Sequence, residues 1–149
     1  MDIQDIGVNI GGVVLAASFD GRLKSDEGFL SATGDLCTLT ASAGKDLYIT
    51  GAKITFYGNT NSIISTADVA ELKLNDIVKE TSPSSIAGQT TSSGTAIHSY
   101  EFKNLFHKIT PAQIMKLEVT ALSASADVEG FIQAIEVPTG EDPTKYRGD

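Results

Sequence analysis

The segment from residue 127 to residue 137 constrains the fold most, because its apolar residues fall on both faces of a strand. One face carries Val128, Ile132 and Ala134, and the other carries Phe131, Ile135 and Val137. The preceding segment, Ile114–Leu122, alternates polar and apolar residues, as a strand covered on one face does. A strand that is apolar on both faces needs cover on both faces. The pair therefore predicts a β-sandwich in which a second subunit supplies part of the cover.

Composition and charge narrow the class of protein. The 149 residues are enough for one domain with a substantial core, and the absence of Trp with only four Pro suits strands joined by polar turns. The net charge is −8 and the Lys and Arg residues are scattered. A surface that binds nucleic acid or an anionic membrane needs a basic patch, so we expect neither partner.

The chain divides into three predicted parts. Residues 1–28 have interrupting glycines and two turn signals, and we interpret them as an N-terminal arm or edge segment. Residues 29–138 contain about eight alternating segments and form the predicted β-sandwich. Residues 139–149 are the predicted flexible C-terminal tail. The start of the chain is acidic and the apolar run Val13–Ala17 is short, so neither a secretion signal nor a membrane span is predicted.

Three local signals refine the sandwich. Gly51 lies where the apolar phase changes inside the segment Leu47–Tyr57, which predicts a β-bulge. Asn75-Asp76 predicts a turn into the next strand. Thr110–Gln113 has a capping residue, a proline and a Gln in the spacing that predicts one helical turn.

Apolar residues of the arm and of the outer face of the last strand are the predicted assembly contacts. They are Val13, Val14, Leu15, Phe19, Phe131, Ile135 and Val137. Extended arms and two-sided strands are features that clasp or line symmetric interfaces.

The segment Thr81–Thr95 is a low-complexity run of Ser, Thr and Gly, which predicts an exposed, mobile loop. Its length favours either a recognition loop or an insertion tolerated at small entropic cost. The candidate recognition residues are Ser85, Gln89, Thr91 and Ser93.

Candidate catalytic and metal-binding residues are few. Cys37, His98 and His107 could form a nucleophile–base pair or a metal site, but no activating motif or ligand spacing accompanies them. Cys37 lies in an alternating run and is interpreted as a small core residue. The acidic pairs, including Asp127 with Glu129, lack the spacing of a calcium loop. The terminal Arg147-Gly148-Asp149 matches the integrin-ligand tripeptide, but a motif of three residues often occurs by chance. We predict no cofactor and no enzyme activity.

The run from His107 to Ala121, HKITPAQIMKLEVTA, resembles a recurring jelly-roll hairpin, in which a turn precedes a strand of apolar–charged alternation and a two-sided strand closes the chain. Residues 29–137 are similar in this pattern to small jelly-roll proteins of virus and phage particles, including capsid decoration proteins and fibre or spike heads. Pro111-Ala112-Gln113 departs from the Gly-Asp turn that is frequent in these proteins. The resemblance implies a trimer or lattice component with no catalytic residues.

Together these observations predict an all-β, jelly-roll-like antiparallel sandwich that serves as a structural subunit of a virion or similar shell. Its expected partners are copies of itself, as a trimer, and other shell proteins, and its expected location is the particle surface. The alternative is a carbohydrate-binding or adhesion module, with Tyr48, Tyr57 and Tyr100 as stacking platforms for a glycan. A small β-sandwich enzyme using Cys37 is the third interpretation.

Overall fold

The computed structural model describes residues 23–146, with side chains described for residues 23–144. This part of the chain consists of strands, connecting turns and one short 3₁₀ helix. The eight longer strands are β1 Leu23–Leu30, β2 Gly34–Thr40, β3 Lys45–Gly58, β5 Val69–Leu74, β6 Ile77–Thr81, β8 Ala96–Glu101, β10 Ile114–Ala121 and β11 Ala126–Pro138. The two-residue strands are β4 Ser62–Ile63, β7 Thr90–Thr91 and β9 Lys108–Ile109, and the 3₁₀ helix is Pro143–Tyr146.

The eight longer strands form two antiparallel sheets with the connectivity of a jelly roll, and β4 and β7 pair separately. The first sheet has the order β1-β11-β3-β8, with β9 added beside β3, and the second has the order β2-β10-β5-β6. Successive long strands alternate between the two sheets, except that β5 and β6 form a hairpin within the second sheet. The all-β jelly-roll-like sandwich predicted from the sequence is confirmed. Residue 28, where the predicted arm ends, lies inside β1, which pairs with β11 along its whole length.

The bulge predicted at Gly51 is present and explains the change of phase in β3. The pairing of β3 with β11 shifts between Gln133 and Ala134, opposite residues 49–51. The shift lets Ile49 and Ile54 both point into the sandwich, where neither is exposed to solvent. The core between the sheets also contains Leu47, Phe56, Leu72, Met115, Leu117, Val128 and Ile132.

Two turns at one end of the sandwich show how local sequence sets the connections. Asn75 and Asp76 have φ values of 48° and 65°, as a type I′ hairpin turn requires. The Asn75 side-chain oxygen accepts a hydrogen bond from the Ile114 amide. Thr110–Gln113 forms a single hydrogen-bonded turn rather than a helix, closed by Gln113 N–H to Thr110 C=O at 2.9 Å, and the Gln113 side-chain oxygen accepts the Thr110 amide proton at 3.0 Å as the predicted cap requires. The strand β10 begins at the next residue and leaves no room for a helix.

The sandwich has two ends, named here by their connections. The loop end carries the connections 31–33, 59–68, 82–95 and 122–125, and the hairpin end carries the connections 41–44, 75–76 and 110–113. β10 runs from the hairpin end to the loop end over eight residues, about 26 Å of strand.

A pair of facing glycines brings the two sheets close together beside β1. Gly28 of β1 lies opposite Gly130 of β11. A Cβ on Gly28 would overlap the backbone carbonyl of Leu36 in β2, and a Cβ on Gly130 would lie 2.9 Å from the Leu36 side chain. The missing side chains therefore make room for Leu36, which is 6% exposed.

Candidate ligand groove and contact surfaces

The predicted assembly residues of β11 occupy three different environments. Val137 is fully buried and Ile135 is 3% exposed, so the chain itself covers both, and the expectation that they face a neighbour is wrong. This end of β11 contacts the 3₁₀ helix Pro143–Tyr146, and Ile135 lies beside Tyr48, whose ring stacks on Phe106. Phe131 remains partly exposed on the outer face. The other predicted contacts, Val13, Val14, Leu15 and Phe19, lie outside the described residues, as does Arg147–Asp149.

The Ser/Thr-rich segment is held to the sandwich by hydrogen bonds, which the sequence did not predict. β7 pairs with β4, and Ser82 exchanges backbone and side-chain hydrogen bonds with Ala70. Ser85 and Thr91 are buried, so their expected exposure is wrong, whereas Gln89 and Ser93 are exposed as expected. Hydrogen bonds to serine hydroxyls hold this segment in place, whereas apolar packing holds the strands of the core.

Asp68 is the centre of this attachment. It is fully buried, and its carboxylate accepts hydrogen bonds from the Ser123 amide and, at 2.9 Å, from the Ser85 hydroxyl. The Ser85 oxygen in turn accepts the Asp68 amide proton at 2.7 Å. One carboxylate thus ties segment 82–95 to the connection between β10 and β11.

Glu80 makes a second clamp, between β6 and the end of β8. Its carboxylate accepts hydrogen bonds from the Tyr100 hydroxyl and from the amides of Lys103 and Asn104. Burial alone would raise the pKa of Glu80, but these donors more than offset it and hold the pKa below its ordinary value.

The structure does not bring Cys37 and the histidines together as a nucleophile and base. Cys37 is buried on β2, which packs against β1 of the first sheet. His98 is on β8, at the other edge of the first sheet, and the three strand spacings between β1 and β8 amount to about 14 Å. Burial, and secondarily the charge of Asp26, raises the pKa of Cys37 to about 12, which keeps the thiol protonated. His107 lies in the connection before β9.

The acidic pairs are engaged in separate contacts. Asp127 accepts a hydrogen bond from the Asn59 side chain and Glu129 accepts one from the Tyr57 hydroxyl. Asp26 accepts the amide proton of Thr38. Within residues 23–146, no group of three or more His, Cys, Asp or Glu side chains is arranged to hold a metal ion.

A groove crosses the outer face of the first sheet. One depression of about 500 Å³ lies over β1 and β11, and a second of about 180 Å³ lies over β11 and β3. Both are lined by Glu129, Gly130 and Phe131, so they adjoin along β11, and we name the two together the groove. The remaining lining residues are Ser25, Glu27, Gly28, Phe29, Gln133, Lys53, Thr55 and Tyr57.

Of the three predicted tyrosine platforms, Tyr57 lines this groove. Tyr48 stacks on Phe106, with the ring centroids 5.2 Å apart. Tyr100 packs edge-on against Phe102 and its hydroxyl is bound to Glu80. The groove aromatics Phe29 and Phe131 were not predicted as ligand contacts, because strand pairing rather than sequence distance brings them to the face of the sheet where Tyr57 also lies.

Large aliphatic side chains are exposed at both ends of the sandwich. We name Ile63 and Ile86 the loop-end patch, since the segments carrying them are hydrogen-bonded through Ile64 and Gly88. We name Ile77 and Ile114 the hairpin-end patch, since both flank the Asn75-Asp76 turn. Their exposures are 58% and 74% at the loop end and 63% and 47% at the hairpin end.

The outer face of the second sheet is a ladder of ion pairs in which two lysines meet four carboxylates. Lys73 forms ion pairs with Glu71 and Glu118, and Lys116 forms ion pairs with Asp35 and Asp76. No helix in the described part of the chain is long and apolar enough to cross a bilayer.

Comparison with known proteins gives a distant structural likeness and no family. No protein-family model and no curated protein matches the chain. Solved structures of infectious bursal disease virus are similar to it: the Gt strain at 15% identity and a TM-score of 0.35, and the VP2 subviral particle at 14% and 0.32. These matches cover 82% and 85% of this chain but 34% and 32% of those chains. TM-scores this low assign neither a family nor a role.

Proposed function

We propose that this chain is a non-enzymatic structural subunit that assembles with copies of itself into a virion or similar shell. The observation that carries the proposal is the pair of exposed aliphatic patches at opposite ends of one sandwich. Large aliphatic side chains exposed at the two ends of a sandwich are available for contacts with other copies of the chain. The jelly-roll fold alone does not decide the role, because capsid proteins, lectins and cupins all use it.

The placement of the patches favours a head-to-tail contact. The loop-end patch of one copy would meet the hairpin-end patch of the next, since the two patches lie on different ends of the same molecule. Heterologous contacts of this kind close into rings or continue as a lattice, and a trimer is the smallest ring they form. The predicted arm residues Val13–Phe19 would add a second contact between neighbours in the same assembly. The particle surface is the location that follows from this role.

The test is light scattering after size-exclusion chromatography over a wide concentration range. Full-length protein should form a trimer or larger assembly, and Ile77→Glu or Ile86→Glu should shift it to monomer. Ser84→Glu places the same charge on an exposed position of the same loop as Ile86 and should leave assembly intact.

A mixing experiment tests the head-to-tail geometry directly. Ile77→Glu damages one patch and Ile86→Glu damages the other, so an equal mixture retains one intact interface and should give a one-to-one dimer. A full-length chain that stays monomeric at every concentration overturns the proposal. A mixture that stays monomeric while both single variants lose assembly overturns the head-to-tail contact.

A further inference from the structure

The groove on the outer face of the first sheet is suited to a small ligand rather than to a flat protein surface. It is concave, it runs across β1, β11 and β3, and it is separate from the patches at the two ends. Three aromatic side chains from three strands line it, which gives it apolar ring surface within a polar rim.

Phe131 is the central aromatic residue. A Cβ built on Gly51 would lie 3.8 Å from the edge of the Phe131 ring and 3.4 Å from the Gln133 side-chain oxygen. The absence of a side chain at Gly51 therefore leaves space beside the ring on the β3 side. On the β1 side Phe29 is 60% exposed, diagonally across from Phe131 in the pairing of β1 with β11. A ring ligand can reach Phe131 from the solvent in this arrangement.

The polar groups around Phe131 are planar acceptors and short hydroxyls. Tyr57 donates its hydroxyl proton to one oxygen of Glu129 at 3.0 Å, which orients the carboxylate in the groove. Glu27 lies opposite Phe131 on β1 and Lys53 lies opposite it on β3. Gln133 and Thr55 add an amide and a hydroxyl. An oriented carboxylate and an amide beside an aromatic ring can accept and donate several hydrogen bonds to a polyhydroxylated ring at once.

We propose that this groove binds a neutral glycan, with one sugar ring on Phe131 and its hydroxyls donating to Glu129 and Gln133. The charges select against other ligands. Two carboxylates with one ammonium group give the groove a net negative charge, which disfavours sialylated or phosphorylated ligands. The site lies outside the patches of the proposed function and does not depend on assembly.

The experiment is a glycan array carrying neutral and sialylated oligosaccharides, followed by NMR titration of the best neutral glycan. Amide shifts should appear in β1, β11 and β3 around Glu129. Glu129→Gln keeps the size of the side chain and should weaken binding about tenfold, because it removes a charged acceptor. Phe131→Leu keeps apolar volume, removes the ring and should weaken binding by a similar factor.

Glu101→Gln is the matched control, since Glu101 is exposed in the same cross-strand row on β8 and lies outside the groove. It should bind the glycan like the unaltered chain. The proposal is overturned by absence of binding to every neutral glycan, by preference for sialylated glycans, or by binding that Glu129→Gln and Phe131→Leu leave unchanged. Size-exclusion chromatography of the same variants separates this outcome from a failure of assembly, because groove variants should keep the oligomeric state.

Discussion

Single side chains with many hydrogen bonds hold the irregular parts of this sandwich, and Glu80 is the clearest case. Its carboxylate fixes the chain just beyond β8 through three donors. A lowered pKa means that the folded state favours the charged form. The stabilisation is therefore complete above the unfolded-state pKa and is lost as the pH falls through the lower folded-state pKa.

Replacement of Glu80 by Gln should cost about 1 kcal/mol of unfolding free energy at neutral pH, since the site is partly open to solvent. The cost should shrink as the pH falls through the lowered pKa of Glu80, where the native carboxylate also becomes protonated. Urea denaturation at pH 7 and pH 3 measures both values, with Glu101→Gln as the control. Equal costs at the two pH values would contradict the role given to the charge.

Cys37 should be chemically inert in the folded protein. With its pKa raised from 9.0 to about 12, the thiolate fraction falls about a thousandfold, and burial blocks access as well. An aromatic disulfide reagent at pH 8 should react at least about 100-fold more slowly with native protein than with protein in urea. Rapid reaction of the native thiol would show that β2 opens readily.

The contribution of single residues was partly predictable from sequence. An alternating run was sufficient to place Cys37 in a strand of the core. The buried serine Ser85 was not predictable, because its partner Asp68 lies 17 residues earlier and nothing local marks either residue as buried. A polar segment is exposed on average, but a hydrogen bond to a buried carboxylate allows a serine such as Ser85 to be buried.

At the scale of elements, Asp68 should control the attachment of segment 82–95. Asp68→Asn retains the shape of the side chain but forfeits the charged acceptor, which should cost about 1–3 kcal/mol. Limited proteolysis should then cut between residues 82 and 95 before the rest of the sandwich unfolds. Ser84→Ala, an exposed change in the same segment, should leave the cleavage rate unaltered. A cleavage rate that Asp68→Asn leaves unaltered would mean that β7 pairing alone holds the segment.

The close packing around Gly130 of β11 gives another element-scale prediction. Gly130→Ala would place a Cβ 2.5 Å from the Lys53 carbonyl and should destabilise the protein by about 2 kcal/mol or more. Gly51→Ala meets contacts of 3.4 Å and longer, so it serves as the control on the adjacent strand. Thermal unfolding of the two variants compares them, and equal melting temperatures would show that the β3 backbone at Lys53 can shift without cost.

Elements whose determinants are local were predicted well. The bulge at Gly51, the turn at Asn75-Asp76 and the strands β10 and β11 each depend on neighbouring residues. The sequence predicted that a neighbouring subunit covers Ile135 and Val137, whereas residues of the same chain cover them. A strand that is apolar on both faces indicates that both faces are buried, but not which chain buries them. Here Tyr48 and Phe106 lie on that side of the sheet and come from the same chain.

For the whole molecule, the net charge of −8 opposes the association of identical copies. Contacts through isoleucine patches carry little charge of their own, so salt should screen the repulsion and strengthen assembly. We expect the oligomer fraction to rise when NaCl is increased from about 0.05 M to about 0.5 M, as measured by light scattering. A fall with salt would indicate that ion pairs hold the copies together.

Fold class was accessible from the sequence because alternation and turn spacing act along the whole chain. The groove was not accessible, since Phe29, Tyr57 and Phe131 are separated by up to about a hundred residues and meet through strand order. The end patches were equally hidden. An exposed isoleucine and a buried one look alike in a sequence.

The facing glycines Gly28 and Gly130 have a consequence for the evolution of this chain. They should stay glycine in related chains, because the Leu36 backbone carbonyl occupies the place of a Cβ at position 28, and the Lys53 carbonyl with the Leu36 side chain crowds a Cβ at position 130. A smaller residue at 36 would not make room for a side chain at either position, because the closest atoms belong to the backbone of β2 and β3. The groove residues next to these glycines in sequence point to the opposite face of the sheet; they are Glu27, Phe29, Glu129 and Phe131. Substitutions can therefore change the groove while both glycines are retained.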